Sequence, residues 1–308
     1  MDRRPLGRSE LVIEPLVLGG NVFGWTVDRE GGFAVLDAFV DEGFTAIDTA
    51  DVYGKGTSET MIGEWLKARG NREAVHIFTK VGSEMGPGQQ GLKAGYIKQA
   101  VEGSLRRLQT DYIDLYQSHR PDPDTGQEET LEAFDVLIRA GKVRVIGSSN
   151  FTPAMIRQAH KTAVVKSLAR YETEQPLYNL YDRSSFEGEL QDLAIKEDIG
   201  IIAYFSLAAG FLTGKYRSTG DFSKSPRGAR MERYLNDKGF RILDALDRVG
   251  KANDATPAEV SLAWLIAQPG VTAPIASATS VEQLRSLAKG VRLKLSELDL
   301  HALTQAGK

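Results

Sequence analysis

Four polar residues, Asp48, Tyr53, Lys80 and His119, each fall just past a short apolar run, in TAIDTADVY, VHIFTK and YIDLYQSH. A tyrosine, a lysine, a carboxylate and an imidazole gathered at strand ends can move a proton to or from a carbonyl oxygen. A carboxylate inside an apolar strand is costly unless paired, and so is a lysine at the end of IFTK. Each supplies what the other lacks, so a buried Asp48–Lys80 pair is expected. A tyrosine beside that ammonium should ionise more readily. At about 4 Å and an effective dielectric of about 20 the attraction is roughly 4 kcal/mol, enough to bring a phenol from about 10 towards neutrality. His119 would then orient the carbonyl or assist the transfer. Each residue also has a plainer reading: Tyr53 as a packing residue, Asp48 and Lys80 as an ion pair, His119 as a donor to backbone carbonyls. Their coincidence at three successive strand ends is what points to a site.

The elements that must position these residues alternate regularly. Candidate strands are Pro15–Gly20, Ala46–Ala50, Val75–Val81, Tyr112–His119, Val143–Ser148, Ala169–Gln175, Gly200–Ser206 and Val271–Ser277. Between them run stretches of helical period such as YIKQAVEGSLRRLQT and TLEAFDVLIRAGK, several closed by glycine (Gly43, Gly70, Gly141). Eight strand signals alternating with helices over this length predict one α/β domain, residues 1–308, folded as a (β/α)8 TIM barrel. An open doubly wound sheet should carry G-x-G-x-x-G after its first strand, and LGGNVFGW lacks that spacing. RPLGRSELVIEP reads as an N-terminal β-hairpin able to plug the barrel bottom. Residues Gly210–Lys238 read as a long loop after strand seven, a length usually tied to function.

In a barrel the site is built at the C-terminal strand ends. In order these offer Gly20, Asn21 and Trp25; Asp48 and Tyr53; Lys80; His119; Ser149 and Asn150; Glu174 and Gln175; Tyr204 and Ser206. Phe23, Trp25 and Arg120, with the rest of Arg120–Gln127 and the long loop, are the expected substrate walls. His76 opens a strand and should face the other end, and the four histidines show no metal-ligand spacing.

Composition narrows the classes. The 308 residues are 42% hydrophobic and 26% charged with a net charge of −3, so disorder and a polyanion partner such as nucleic acid are not expected. There is no cysteine, which excludes disulfides, thiolate nucleophiles and thiolate metal sites. With no long apolar stretch and no visible export signal, a cytoplasmic protein without a membrane segment is expected. The tail, ending LTQAGK, suggests an open site.

IDTADVYGKGTSETMIGEWLK, FTKV and LYQSHRPD together resemble the signatures of the aldo-keto reductase superfamily, and the resemblance runs along nearly the whole chain. It implies a (β/α)8 barrel, with Tyr53 as general acid tuned by Lys80 and Asp48 and with His119 orienting the substrate. GSSNF is similar to the family's nicotinamide-carboxamide segment, implying Ser149, Asn150 and Gln175, while Tyr204 falls where an aromatic stacks on the ring. FSLAAGFLTGKYR resembles the stretch over the pyrophosphate, making Ser206, Leu207, Gly210 and Lys215 expected contacts. That loop looks nearest to a bacterial, channel-β-subunit-like branch. At the adenosine end the match weakens. Ser277, Thr279 and Gln283 are expected contacts, but Ser280 stands where an Arg often reads the ribose 2′-phosphate, and Ser286 and Leu287 replace a common Glu-Asn pair. Arg227 or Arg285 could supply the charge. The resemblance favours NADP(H), with NAD(H) as the alternative because an Arg–phosphate contact is a strong one to lose. The reading is therefore NAD(P)H-dependent reduction of a small aldehyde or ketone, or the reverse. Two other readings stand beside it: a nicotinamide-binding regulatory subunit with little turnover, and a barrel isomerase or aldolase using Lys80 as a Schiff base. Neither substrate identity nor oligomeric state follows from the sequence.

Overall fold

A computed structural model describes residues 2–308. An antiparallel hairpin, β1 (Arg4–Pro5) and β2 (Val12–Ile13), precedes a closed barrel of eight parallel strands. These are β3 (Val17–Gly19), β4 (Ala46–Asp48), β5 (His76–Val81), β6 (Ile113–Ser118), β7 (Val143–Ser149), β8 (Thr173–Gln175), β9 (Gly200–Ala203) and β10 (Val271–Ala276), with β10 pairing back onto β3. All eight expected strands are present. Most are shorter than their apolar runs, losing residues at the mouth (Ala203 ends β9), at the bottom (Thr173 begins β8) or at both ends (β3).

Helices follow the strands: α1 (Arg29–Asp41), α2 (Thr57–Arg69), α3 (Ala94–Leu108), α4 (Gln127–Arg139), α5 (Pro153–Lys166), α6 (Glu189–Glu197), α7 (Asp237–Asn253), α8 (Pro257–Ile266), α9 (Val281–Arg292) and α10 (Glu297–Ala306). Six of these ten helices start on a side-chain cap. Asp28, Thr152, Asn236, Thr256, Ser280 and Ser296 each accept a hydrogen bond from a first-turn N–H. No helix among the described residues is long and apolar enough to cross a membrane.

Strand periodicity sorts the barrel interior into layers. Val17, Ala46, Phe78, Leu115, Val145, Ile202 and Ala273 form an apolar layer inside, packed on Leu6, Leu11 and Ile13 of the hairpin region. The hairpin thus closes the bottom, as its sequence predicts. Two residues further along their strands, on the same inward parity, stand Asp48, Lys80 and Gln117. The polar floor of the mouth is the next layer of the apolar core.

The Gly210–Lys238 segment is not a structureless loop. It is folded into 3₁₀ turns at Ala208–Thr213, Thr219–Lys224 and Gly228–Tyr234, anchored by buried Tyr216, Met231 and Tyr234. Phe211 and Tyr234 stack with centroids 5.0 Å apart, and Tyr181 meets Tyr234 edge-on at 4.8 Å. Aromatic burial offsets the ordering entropy that its Gly/Ser/Lys composition suggests would win.

Candidate active site

The four residues that open the sequence reading converge. Lys80 is fully buried, and its Nζ donates to Asp48 Oδ2 at 2.6 Å, to the Thr49 carbonyl at 2.7 Å and to the Tyr53 hydroxyl at 3.5 Å. The other carboxylate oxygen, Asp48 Oδ1, accepts from Gln175 Nε2 at 3.1 Å and Gln117 Nε2 at 3.5 Å. The ion pair is therefore held from every side, as a buried pair must be. His119 sets its ring edge-on to Tyr53, with centroids 5.9 Å apart.

Tyr53 owes its place to the turn between β4 and α2. Gly54, Lys55 and Gly56 take φ of 58°, 54° and 93°, a left-handed run that glycine at two of three positions makes cheap. It brings the hydroxyl back over Lys80.

The electrostatics correct one expectation. Burial pushes the Tyr53 phenol above its ordinary value of 10.0, outweighing the nearby Lys80, while Asp48 and Asp51 push it further up. The ammonium's charge is largely answered by Asp48 at 2.6 Å, so what remains eases the formation of a phenolate without offsetting the cost of burying it. Tyr53 is held in its protonated phenol form. Burial opposes the Lys80 charge, yet Asp48 and Tyr53 leave it raised above its ordinary value. His119 is lowered to about 3, first by burial and then by Lys80 and Arg120, so its imidazole is neutral. Its Nδ1 is buried without a partner among the described residues.

A cavity of about 1040 Å³ opens above this floor. Asp48, Tyr53 and His119 line its deep end, while Lys80 lies beneath them. Ser149, Asn150, Gln175, Tyr204, Ser206, Leu207, Gly210, Lys215, Ser277, Thr279 and Gln283 line the same cavity, as do Trp25 and Arg120. Asn150, at φ 62°, donates to the His119 carbonyl at 3.2 Å and accepts from the Tyr204 hydroxyl at 2.9 Å. Ser149 donates to the Gln175 carbonyl at 2.9 Å.

Some residues do not follow the sequence reading. Phe23 is 1% exposed and packs in the core rather than on a substrate wall, since the β3–α1 turn points it inward and leaves Trp25 outside. Of Arg120–Gln127 only Arg120 lines the cavity. Ser280 does not line it either, because its hydroxyl caps α9 by accepting from Gln283 N–H at 3.2 Å. Ser286 and Leu287 do line it, whereas Arg285 does not. Arg227 lies on the wall, its guanidinium 5.3 Å from the Trp25 ring and its Nη2 buried without a partner among the described residues.

Sequence reasoning missed Gln117 and Asp51, and it reached Lys224 only as part of the Gly210–Lys238 wall. Gln117 was signalled by its inward parity beside Lys80 in the register. Asp51 is 1% exposed, with neither carboxyl oxygen hydrogen-bonded among the described residues. Burial and then Glu59 raise it to about 7. No signal in the sequence separated it from the solvent-facing acids.

The motifs also match a family. The aldo/keto reductase family model covers residues 15–308. The chain belongs to the aldo/keto reductase family. This aldo/keto reductase is 36% identical to an uncharacterized oxidoreductase, YrpG, of Bacillus subtilis, over 98% of this chain and 95% of that protein. It is 33% identical to the aldo-keto reductase yakc [NADP(+)] of Schizosaccharomyces pombe, over 90% of this chain and 83% of that one. It is equally 33% identical to a probable voltage-gated potassium channel subunit beta of Oryza sativa, over 92% and 89%. Family membership supports a nicotinamide-dependent oxidoreductase of small carbonyl compounds.

Proposed function

We propose that this aldo/keto reductase reduces an aldehyde or ketone with NADPH, with Tyr53 delivering the proton. The observation that carries this reading is the Tyr53 hydroxyl held 3.5 Å from Lys80 Nζ at the deep end of a cavity far larger than a small carbonyl needs. The cofactor fits what is present. Ser149, Asn150 and Gln175 offer amide-matching donors and acceptors beside the tetrad, and Tyr204 offers an aromatic face. Lys215, Lys224 and Arg227 offer cations along the loop after β9, with the orphaned Arg227 Nη2 as a donor lacking its acceptor. In place of an arginine at 280, Arg227 is the group we assign to the 2′-phosphate, consistent with a relative named for NADP(+).

Bound there, the nicotinamide supplies the hydride. Tyr53 stays protonated through neutral pH and gives its proton to the carbonyl oxygen as negative charge develops on it. Lys80 steadies the tyrosinate that remains, and Asp48, fixed by Gln117 and Gln175, keeps the ammonium in place. Neutral His119 can donate one hydrogen bond to the same oxygen. A Schiff base at Lys80 needs a free amine, which the buried Asp48 contact opposes.

The direct test is oxidation of NADPH by 4-nitrobenzaldehyde, followed by absorbance; no turnover would sink the enzymatic reading. The relatives named as channel subunits favour a second one, a nicotinamide-binding regulatory protein. Tight NADPH binding with bound cofactor left unoxidised across an aldehyde panel would select it. Comparing kcat/KM for NADPH and NADH tests the cofactor, and a ratio at or below one would overturn the NADP assignment.

A further inference from the structure

The charges lining the cavity are lopsided. Arg120, Lys215, Lys224 and Arg227 are cationic, of which Lys224 is paired with Asp221 at 2.7 Å, and the single acid on the lining, Asp48, is spent on Lys80. Three of those cations sit in the segment after β9. Arg120 follows β6, which lies across the closed barrel from β10, where the adenosine-side residues emerge. A cofactor running from the tetrad towards the ends of β9 and β10 leaves Arg120 behind. Its guanidinium is exposed at the wall and has no hydrogen-bond or ion-pair partner among the described residues. The nearest acid in sequence, Asp122, is occupied by the Leu92 N–H at 2.7 Å, the Asp124 N–H at 3.0 Å and the Thr125 hydroxyl at 2.7 Å. Arg120 also adjoins His119 and acts on its imidazole. An unanswered cation thus stands next to the group that meets the carbonyl.

We infer that Arg120 selects substrates carrying a carboxylate a short distance from the reacting carbonyl; this rests on the reductase reading above. One guanidinium matches the two oxygens and single charge of a carboxylate, and no second cation from the β6 side lines the cavity to match a phosphate dianion. A charge-assisted contact at a half-open wall should favour the charged substrate about tenfold, expressed in KM because the group does not react.

The experiment compares kcat/KM for 4-carboxybenzaldehyde and 4-formylbenzamide with NADPH, two para-substituted aldehydes of nearly equal size and shape that differ in charge. The carboxylate should be preferred in the native enzyme, and the preference should collapse towards one in Arg120→Gln. In Arg120→Glu it should reverse towards 4-(trimethylammonio)benzaldehyde. Equal use of both aldehydes by the native enzyme, or a preference unchanged in Arg120→Gln, would overturn the inference. So would a stronger preference for 4-formylphenyl phosphate than for the carboxylate. If no aldehyde oxidises NADPH, the reductase reading itself fails, which a preference ratio near one would leave standing.

Discussion

The proposed proton donor is where a single atom decides the outcome. Tyr53→Phe removes one hydroxyl from a site whose other contacts remain. Turnover should fall by roughly 10²–10⁴-fold, while NADPH quenching of tryptophan fluorescence should titrate almost unchanged. Retained activity would remove Tyr53 from its role. Because burial holds the phenol above its ordinary value, the two directions of the reaction should part with pH. Carbonyl reduction, which needs the protonated form, should persist across neutral pH. Alcohol oxidation, which needs a proton acceptor, should climb as pH rises towards and beyond about 10. An oxidation profile with its midpoint near neutrality would show that Lys80 outweighs burial after all.

At the scale of an element, α9 separates two roles that one sequence position suggested. Ser280 caps the helix, so Ser280→Ala should cost about 1 kcal/mol in urea unfolding and leave the NADPH/NADH preference in place. Arg227→Gln should instead erode that preference, raising KM for NADPH about tenfold or more with little change for NADH. An equal loss with both cofactors would take Arg227 off the 2′-phosphate. The seam between β7 and β8 makes a second test. A Cβ at Gly147 would lie 2.0 Å from Thr173 Oγ1, so Gly147→Ala should destabilise by about 1–3 kcal/mol. Adding Thr173→Ala should recover part of it; a purely additive pair would mean that the clash is relieved by backbone movement instead.

For the whole molecule, one buried carboxyl ties stability to pH. Asp51 is raised to about 7 from an ordinary 3.8, so the folded chain holds that proton more tightly than the unfolded chain does. Its contribution is fully present below the unfolded value and is lost as pH rises through about 7, where the ionised group costs at most about 4 kcal/mol. Glu59, Arg107 and Lys80 act on the same carboxyl, and Tyr53, Tyr96 and Tyr116 feel its charge. Asp51→Asn should therefore gain stability relative to the native chain at about pH 8 and lose most of that advantage by about pH 5. An equal difference at both pH values would mean that Asp51 is not the titrating group.

Much of this was legible in one dimension because it is periodic. Alternating runs of strand and helix length named all eight strands, and their position at strand ends already placed Asp48 and Lys80 at the barrel mouth. The hairpin was legible for the same reason: its apolar residues needed a surface to cover, and the barrel bottom offered one. What the sequence could not decide was anything set by several segments at once. The Tyr53 phenol moves up rather than down because Asp48 answers the Lys80 charge and the barrel excludes water, two effects with no local signature. Phe23 turns inward and Trp25 outward on a bend only the folded loop defines. Ser280 is taken by its own helix, and the Arg227 guanidinium packs over Trp25 from some two hundred residues away along the chain. Periodicity is a local property of the chain, whereas charge balance and solvent exclusion belong to the folded barrel, and the chemistry depends on both.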